Sequence, residues 1–376
     1  MRIGFDAKRA VQNFTGLGNY SRFILDILSR NGQDKCVLYA PKHRDNKELD
    51  PILERKNVSI LYPHTFLSRK LSALWRIWSI SKDLCQSNLD LFVGLSNELP
   101  LNIHRSGVKS LLVVHDLIFL RYPQYYAAID RNLYIYKYRE SCRHADHIVA
   151  VSEQTKRDLI SFWGIDEQKI SVVYQGCNPM FGQPVDEARF AQLREKYQLP
   201  ERFVLNVGSI EDRKNLLLIV QALEQLPEEI TLVAIGKNTP YAEKVKKYIQ
   251  THHLEHRVRI LHKVPHEELP VFYRMAGVFV YPSRFEGFGI PILEAIRSHV
   301  PVIAATGSCL EEAGGPDSLY VDPDDATTLA QYIRRIWNDA DLSARMVEKS
   351  LKYAERFEKD AIEREMRKVI TSTSRR

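Results

Sequence analysis

What this 376-residue chain lacks narrows its class before any motif is read. Its five cysteines (Cys36, Cys85, Cys142, Cys177, Cys309) lie far apart, are odd in number and form no Cys-x-x-Cys pair, so a disulfide framework and a zinc ribbon are both excluded. No apolar run approaches the ~20 residues needed to cross a bilayer. The opening Met1-Arg2-Ile3-Gly4-Phe5-Asp6 has neither the charged start nor the apolar stretch of a signal peptide. There is no low-complexity tract and no repeat period. These absences predict a protein of a reducing, cytoplasmic compartment. With 44% hydrophobic and 27% charged residues, the chain is globular and too long for one small core, so about two domains are expected. Its formal charge of +6 is uneven: residues 1–185 hold 25 Lys+Arg against 18 Asp+Glu, and the remainder 28 against 29.

Short β-branched runs alternate with longer amphipathic stretches, the pattern of βαβ units and parallel sheets. Strands are predicted near 2–6, 36–40, 89–93, 109–114, 147–151 and 170–173. Helical spacing marks 17–28, 66–86, 124–144 and 153–163. The pattern lapses into a polar segment between Gln183 and Arg202, then restarts at Phe203-Val204-Leu205-Asn206-Val207-Gly208. Further strands are predicted near 230–235, 258–261, 277–281 and 301–305, followed by one long charged helix from about Ser343 to Ile370. The predicted division is a Rossmann-like domain over 1–185, a second over 186–355, and a terminal helix over 356–376 that returns to the first. Two doubly wound α/β domains facing each other across a cleft would hold ligands at the carboxyl ends of their strands.

Three loops carry chemistry. In Tyr281-Pro282-Ser283-Arg284-Phe285-Glu286-Gly287-Phe288-Gly289-Ile290-Pro291-Ile292-Leu293-Glu294, a buried strand gives way to a helix with proline in its first turn. The amides of Phe288, Gly289 and Ile290 would meet a negative group at the helix N-terminus, while Glu286 and Glu294 accept hydrogen bonds from hydroxyls. Acids flanking a phosphate site fit a nucleotide sugar. In Gly208-Ser209-Ile210-Glu211-Asp212-Arg213-Lys214-Asn215, two adjacent cations would neutralise a diphosphate, Arg213 as a planar fork and Lys214 as a point charge. Gly16-Leu17-Gly18-Asn19-Tyr20 opens a helix after the first strand but lacks the third glycine of a dinucleotide fingerprint. His115-Asp116 ends the run Leu111–Val114, where a histidine suits hydrogen bonding to a sugar hydroxyl.

Taken in this order, the loops resemble the retaining GT-B glycosyltransferases of family four. Glu286 to Glu294 is similar to that family's Glu, seven residues, Glu signature, and Gly208 to Asn215 to its phosphate loop. Val114-His115-Asp116, Val151 to Thr155, Gly176 to Pro179 and Pro301 to Ala304 extend the resemblance along the chain. The resemblance implies that Arg213 and Lys214 bind the donor diphosphate, that Glu294 binds ribose hydroxyls and that Glu286 holds sugar hydroxyls. It implies further that His115 touches the transferred sugar, and that Gly16 or Gly18 lets the first domain close on the phosphates. Ser209 stands where some relatives place another basic residue. The donor's base would be met by backbone near Lys263-Val264-Pro265, and the wording of the loops points to GDP-mannose. The expected reaction is hexosyl transfer with retention, in cell-surface polysaccharide (O-antigen, capsule or lipopolysaccharide) synthesis.

No cofactor and no metal is expected. Asp322-Pro323-Asp324 reads as helix capping beside Asp325, and the His252-His253-His256 cluster as solvated. Leu67, Leu71, Leu74, Trp75 and Trp78 fall on one helical stripe with Arg69 and Arg76 opposite, either a core-facing helix or an interfacial one. Tyr122, Tyr125, Tyr126, Tyr134, Tyr136 and Tyr138 interleave with Arg131, Lys137, Arg139 and Arg143. Together, residues 66–84 and 122–143 suit peripheral contact with the anionic inner face of the cytoplasmic membrane and a glycan or lipid-linked acceptor. The cations are too dispersed for a nucleic-acid partner. The competing readings are an epimerase or phosphorylase of the same architecture, and a nucleotide-sugar-binding protein without catalysis.

Overall fold

The computed structural model describes residues 1–375. It divides into two compact units, one formed by Met1–Gln175 with the terminal segment from Lys359 onward, the other by Gly176–Glu358. In the first unit, strands β1 (Arg2–Asp6), β2 (Lys35–Tyr39), β3 (Val58–Leu61), β4 (Leu91–Gly94), β5 (Ser110–Val114), β6 (His147–Ala150) and β7 (Ile170–Val172) form a parallel sheet in the order β3-β2-β1-β4-β5-β6-β7. In the second, β8 (Phe203–Val207), β9 (Leu232–Ile235), β10 (Val258–Leu261), β11 (Ala276–Tyr281), β12 (Val302–Ala305) and β13 (Leu319–Val321) are parallel in the order β10-β9-β8-β11-β12-β13. Helices cover both faces, so the inner strands are apolar without alternation: β4, β5, β6, β9 and β12 are buried at every position. The strand order reverses between β1 and β4 in one unit and between β8 and β11 in the other, which makes those carboxyl ends the natural ligand positions.

Several expectations change. The division falls at Gln175 rather than 185, because Phe181 in the turn Pro179–Gly182 packs edge-on against Tyr273 and His266, and its carbonyl accepts from Ser298 Oγ at 3.2 Å. The polar stretch after it contains a helix, Glu187–Tyr197, capped by Asp186. The long terminal helix is two, Ala340–Ala354 and Lys359–Arg375, because Phe357 turns inward between them to meet Phe288 and Tyr353. That last helix is tied to the first unit by Lys359 to Asp26 (2.8 Å), Arg367 to Asp34 (2.6 Å) and Arg30 to both Asp360 (2.5 Å) and Glu363.

The segment 66–86 differs most from expectation. It is broken into helices Phe66–Lys70 and Ser72–Leu74, a π-turn Trp75–Ser79 and a helix Ile80–Cys85. Leu67, Leu71, Leu74 and Trp78 keep helical spacing across the π-turn and share one face, and that face is the exposed one. Trp75 enters the core, whereas Phe66 (75% exposed), Leu67, Leu71, Leu74 and Trp78 stand in solvent, so the core-facing reading of the stripe is wrong. Arg76, placed on the outer face by spacing, is instead buried between Asp6 and Glu98. Among the described residues, no helix is long and apolar enough to cross a membrane.

Candidate functional site

In the second unit the site grows from β8 and β11, neighbours at the point where strand order reverses. The loop after β8 ends in a 3-10 turn, Asp212–Lys214, and Asn215 takes a left-handed conformation before the helix Leu216–Leu223. Asn215 tolerates that backbone because its short amide bonds locally, here donating to the carbonyls of Pro323 (2.7 Å) and Pro282 (3.3 Å). The loop after β11 leads through Gly289 into the helix Ile290–Arg297. Gly289 has φ +120°, and a Cβ there would lie 3.1 Å from Leu310, so only glycine fits. The two loops are stitched together: Arg284 N–H donates to Arg213 O at 2.9 Å, and Arg213 Nη1 to Phe285 O at 2.6 Å.

Arg213 and Lys214 both reach Glu286 Oε1, Arg213 at 2.9 Å. Ser283 Oγ (2.6 Å) and the Tyr281 hydroxyl (3.1 Å) donate to the same oxygen. Burial alone would raise the Glu286 carboxyl, but Lys214 and Arg213 more than offset it and bring its pKa down to about 2. Glu211 ties the other side of Arg213, at 2.9 Å, and accepts from Ser209 Oγ at 2.9 Å. The result is a fixed cationic pair whose own counter-ion is rigidly held. Glu294, one turn into the helix, behaves oppositely: burial raises it to about 7, and its single hydrogen bond from the Tyr273 hydroxyl (2.9 Å) only partly opposes that. The backbone N–H groups of Gly289 and Ile290 lead the helix and make no hydrogen bond among the described residues. Val264 lies in the loop after the edge strand β10, partly exposed, on the same side of the sheet.

The remaining sequence-predicted residues sit in the first unit. His115 follows β5 and is buried; its Nε2 bonds the Leu95 carbonyl at 2.9 Å and its Nδ1 faces the Gln175 amide at 3.3 Å. The Leu95 carbonyl requires the proton on Nε2, so Nδ1 is the acceptor. Burial lowers its pKa to about 4, so at neutral pH the ring is uncharged and a sugar hydroxyl reaches Nδ1 only by displacing Gln175. Gly16 opens the helix Gly16–Ser29 with open space where a Cβ would stand, but Gly18 packs so close to the Asn13 carbonyl that a Cβ would lie 1.8 Å from it. The Gly18 amide already donates to Asn13 Oδ1 at 3.1 Å, so its glycine serves the turn rather than a phosphate. Asp325, not Asp322 or Asp324, caps the following helix; Asp322 accepts from Asp324 N–H and Asp324 pairs with Arg284 at 2.6 Å. His252 and His256 pair with Glu224 and Glu228 on the surface.

Sequence reasoning missed Tyr281, Ser283 and Tyr273, whose hydroxyls orient the two glutamates. It also missed Cys309, whose Sγ donates to the carbonyls of Glu286 (2.9 Å) and Phe288 (3.2 Å) and holds the loop from beneath. Tyr281 and Ser283 lay inside the loop that carries Glu286, where a hydroxyl three or five residues from a buried acid was the available signal. Tyr273 and Cys309 had none.

Two family models match in tandem: "Glycosyltransferase Family 4" over residues 14–181 and "Glycosyl transferases group 1" over 189–353. The O-antigen chain mannosyltransferase RfbU of Salmonella typhimurium is 28% identical over 326 residues, 86% of this chain and 87% of the relative. The O-antigen chain mannosyltransferase B of Escherichia coli is 30% identical over 237 residues, 61% and 62% of the respective chains. Among solved structures, Anabaena Alr3699/HepE in complex with UDP-glucose superposes with a TM-score of 0.77 over 99% of this chain and 100% of that one, at 17% identity. WaaG, a glycosyltransferase involved in lipopolysaccharide biosynthesis, gives 0.69 over 99% and 100%, also at 17%. With each half matched by its own family model and two Rossmann-like units in sequence, the chain is a GT-B protein and belongs to the family 4, group 1 glycosyltransferases, as a mannosyltransferase-like member.

Proposed function

We propose that this glycosyltransferase moves a hexosyl group, mannose from GDP-mannose in the first instance, to a growing lipid-linked glycan with retention of anomeric configuration. The observation that carries the reading is the convergence of Arg213 and Lys214 on Glu286 where strand order reverses. Charge develops on the leaving diphosphate, and a cation pair already fixed in a buried site stabilises it without reorganisation. Glu286 keeps one carboxylate oxygen for the cations and turns the other to sugar hydroxyls, while Glu294 accepts from the ribose. We assign no side chain as a covalent nucleophile. The acceptor hydroxyl therefore attacks from the face the diphosphate leaves, and the leaving phosphate oxygen takes its proton. His115, neutral and hydrogen-bonded at both ring nitrogens, is assigned no role as an acid or base.

We assign no metal to this reaction. Neutralising the diphosphate falls to Arg213 and Lys214, and the Asp322-Pro323-Asp324 carboxylates are engaged in their own turn and with Arg284. The O-antigen role of the sequence relatives supports a cell-surface polysaccharide acceptor, and the exposed apolar residues between Phe66 and Trp78 support work at the inner membrane surface. Incubation with radiolabelled GDP-mannose, UDP-glucose and UDP-galactose, with and without EDTA and membrane lipid extract, tests this. Lipid-extractable label from GDP-mannose that survives EDTA is the expected result. Label from a UDP-sugar alone would move the donor assignment, and loss of all label in EDTA would overturn the metal-free reading.

A further inference from the structure

His115 is held at each of its four polar atoms, and the holds are unequal. Its backbone N–H donates to Asn97 Oδ1 at 2.6 Å, and its carbonyl accepts from Thr155 Oγ1 at 3.1 Å. Asn97 is itself fixed: it takes the left-handed conformation at φ 62°, which its short amide tolerates, and its own N–H donates to Val113 O of β5 at 2.9 Å. In the ring, Nε2–H donates to Leu95 O at 2.9 Å, and the Tyr20 ring stands edge-on to the imidazole at 87°, centroids 4.6 Å apart. Leu95 and Asn97 follow β4, Thr155 opens the helix Glu153–Trp163, and Tyr20 belongs to the helix Gly16–Ser29. Contacts from three separate elements thus leave the imidazole one orientation and one tautomer.

The fourth hold is different. Nδ1 accepts from the Gln175 amide at 3.3 Å, the longest of these bonds, and among the described residues it is the only hydrogen bond that the Gln175 side chain makes. Gln175 lies in the loop after β7, outside any helix or strand. His115 and Gln175 are only 5% and 6% exposed, so solvent has little access to the pair. A buried acceptor left unpaired is costly, and Gln175 meets that need with a neutral donor, the same kind of bond that a sugar hydroxyl would supply. The firm holds aim the acceptor, and the weakest, on a loop, is the one a ligand can replace. Resting on the nucleotide-sugar reading above and on the expectation that His115 touches the transferred sugar, we propose that Gln175 keeps the place of a hexosyl hydroxyl on His115 Nδ1 and gives it up when the sugar binds. Gln175 is then a specificity residue: a donor lacking that hydroxyl displaces the amide and leaves the nitrogen unpaired.

Calorimetry on the full chain tests this with two pairs of probes, GDP against GDP-mannose and UDP against UDP-glucose. The readout is the affinity of each nucleotide sugar divided by that of its own nucleotide, which cancels effects on the diphosphate. Gln175→Ala should raise this ratio about fivefold, the worth of one neutral hydrogen bond no longer displaced. The same variant should melt lower than the parent, because Nδ1 is then unpaired in the free protein. Gln175→Glu should lower the ratio about fivefold, since a carboxylate draws a proton onto Nδ1 and holds it more firmly; nitrogen NMR of the imidazole reads that protonation directly. In a His115→Ala background, Gln175→Ala should leave the ratio unchanged, because both residues act on one bond. A purely structural Gln175 would lower the melting temperature without raising the ratio, so an unchanged or lowered ratio in Gln175→Ala overturns the proposal, as does a rise that persists without His115. The expected pattern with the UDP pair alone would move the donor assignment and leave this one standing. Binding of neither nucleotide sugar would sink the donor reading, and this proposal with it.

Discussion

Glu286 Oε1 is approached by four donors, Lys214, Arg213, Tyr281 and Ser283, more than its lone pairs can serve at full strength. A diphosphate gives the two cations further acceptors, so the roles of Lys214 and Glu286 separate by sign. Lys214→Ala removes attraction and should weaken nucleotide diphosphate binding and lower kcat/KM about 100-fold, about 3 kcal/mol in the transition state. Glu286→Gln removes a competing negative charge. It should leave GDP binding unchanged or tighter while kcat falls on the order of 100-fold, because the sugar hydroxyls lose their acceptor. Equal losses of affinity in both variants would contradict the assignment. Glu294 carries a pH signature. Its folded pKa, raised by burial to about 7 from 4.5, means the native state keeps a proton that the unfolded chain releases. The stability of that neutral form is present in full below pH 4.5 and fades as pH rises to 7. Glu294→Gln should flatten this slope and be the more stable protein at pH 8, by about 2 kcal/mol after discounting for its partial exposure. Urea unfolding from pH 5 to 8 measures both.

The segment from Phe66 to Cys85 is where element-scale reasoning from sequence broke down, and the reason is physical. Periodicity puts Leu67, Leu71, Leu74 and Trp78 on one face, as found, but does not say which face meets the core; here that face is exposed and Trp75 and Arg76 face inward. The missed strands have equally local causes: β3 is a four-residue edge strand with every second residue exposed, and β13 is three residues long. The inner strands were legible because burial on both faces demands unbroken β-branched runs. At the site, Arg213, Lys214 and Glu286 were legible from loop chemistry, while the hydroxyls and thiol that orient them come from residues whose types are common everywhere. Arg76→Ala would strand two buried carboxylates and should cost roughly 3–5 kcal/mol, whereas serine at Phe66, Leu74 and Trp78 together should cost less, since those residues are 75%, 51% and 47% exposed. A large destabilisation of the triple variant would mean that the stripe packs against something in the folded chain.

At the scale of the molecule, the charge imbalance in the sequence sharpens once the terminal helix is counted with the unit it joins. The first unit carries 31 Lys+Arg against 21 Asp+Glu, net +10, and the second 22 against 26, net −4. The basic unit is also the one that exposes Phe66, Leu67, Leu71, Leu74 and Trp78, and on the helix Ala128–His144 the stripe Ile129 (84% exposed), Leu133 and Tyr136. Tyr134 and Tyr138 of that helix turn inward onto Phe119, so its aromatic residues divide between core and surface. A basic surface bearing apolar side chains binds membranes by two forces that respond differently to salt. The Coulomb part is screened over about 8–10 Å at physiological ionic strength, whereas burial of apolar side chains among headgroups is not. The protein should therefore float with vesicles containing phosphatidylglycerol at low salt, lose much but not all of that binding at about 0.5 M salt, and ignore vesicles of phosphatidylcholine alone. Serine at Phe66, Leu74 and Trp78 should remove the salt-resistant fraction and leave the salt-sensitive one. Because charge and apolar contact are separable in this way, flotation of the parent on neutral vesicles would make the +10 irrelevant to binding, and a triple variant that still resists salt would move the contact away from the π-turn.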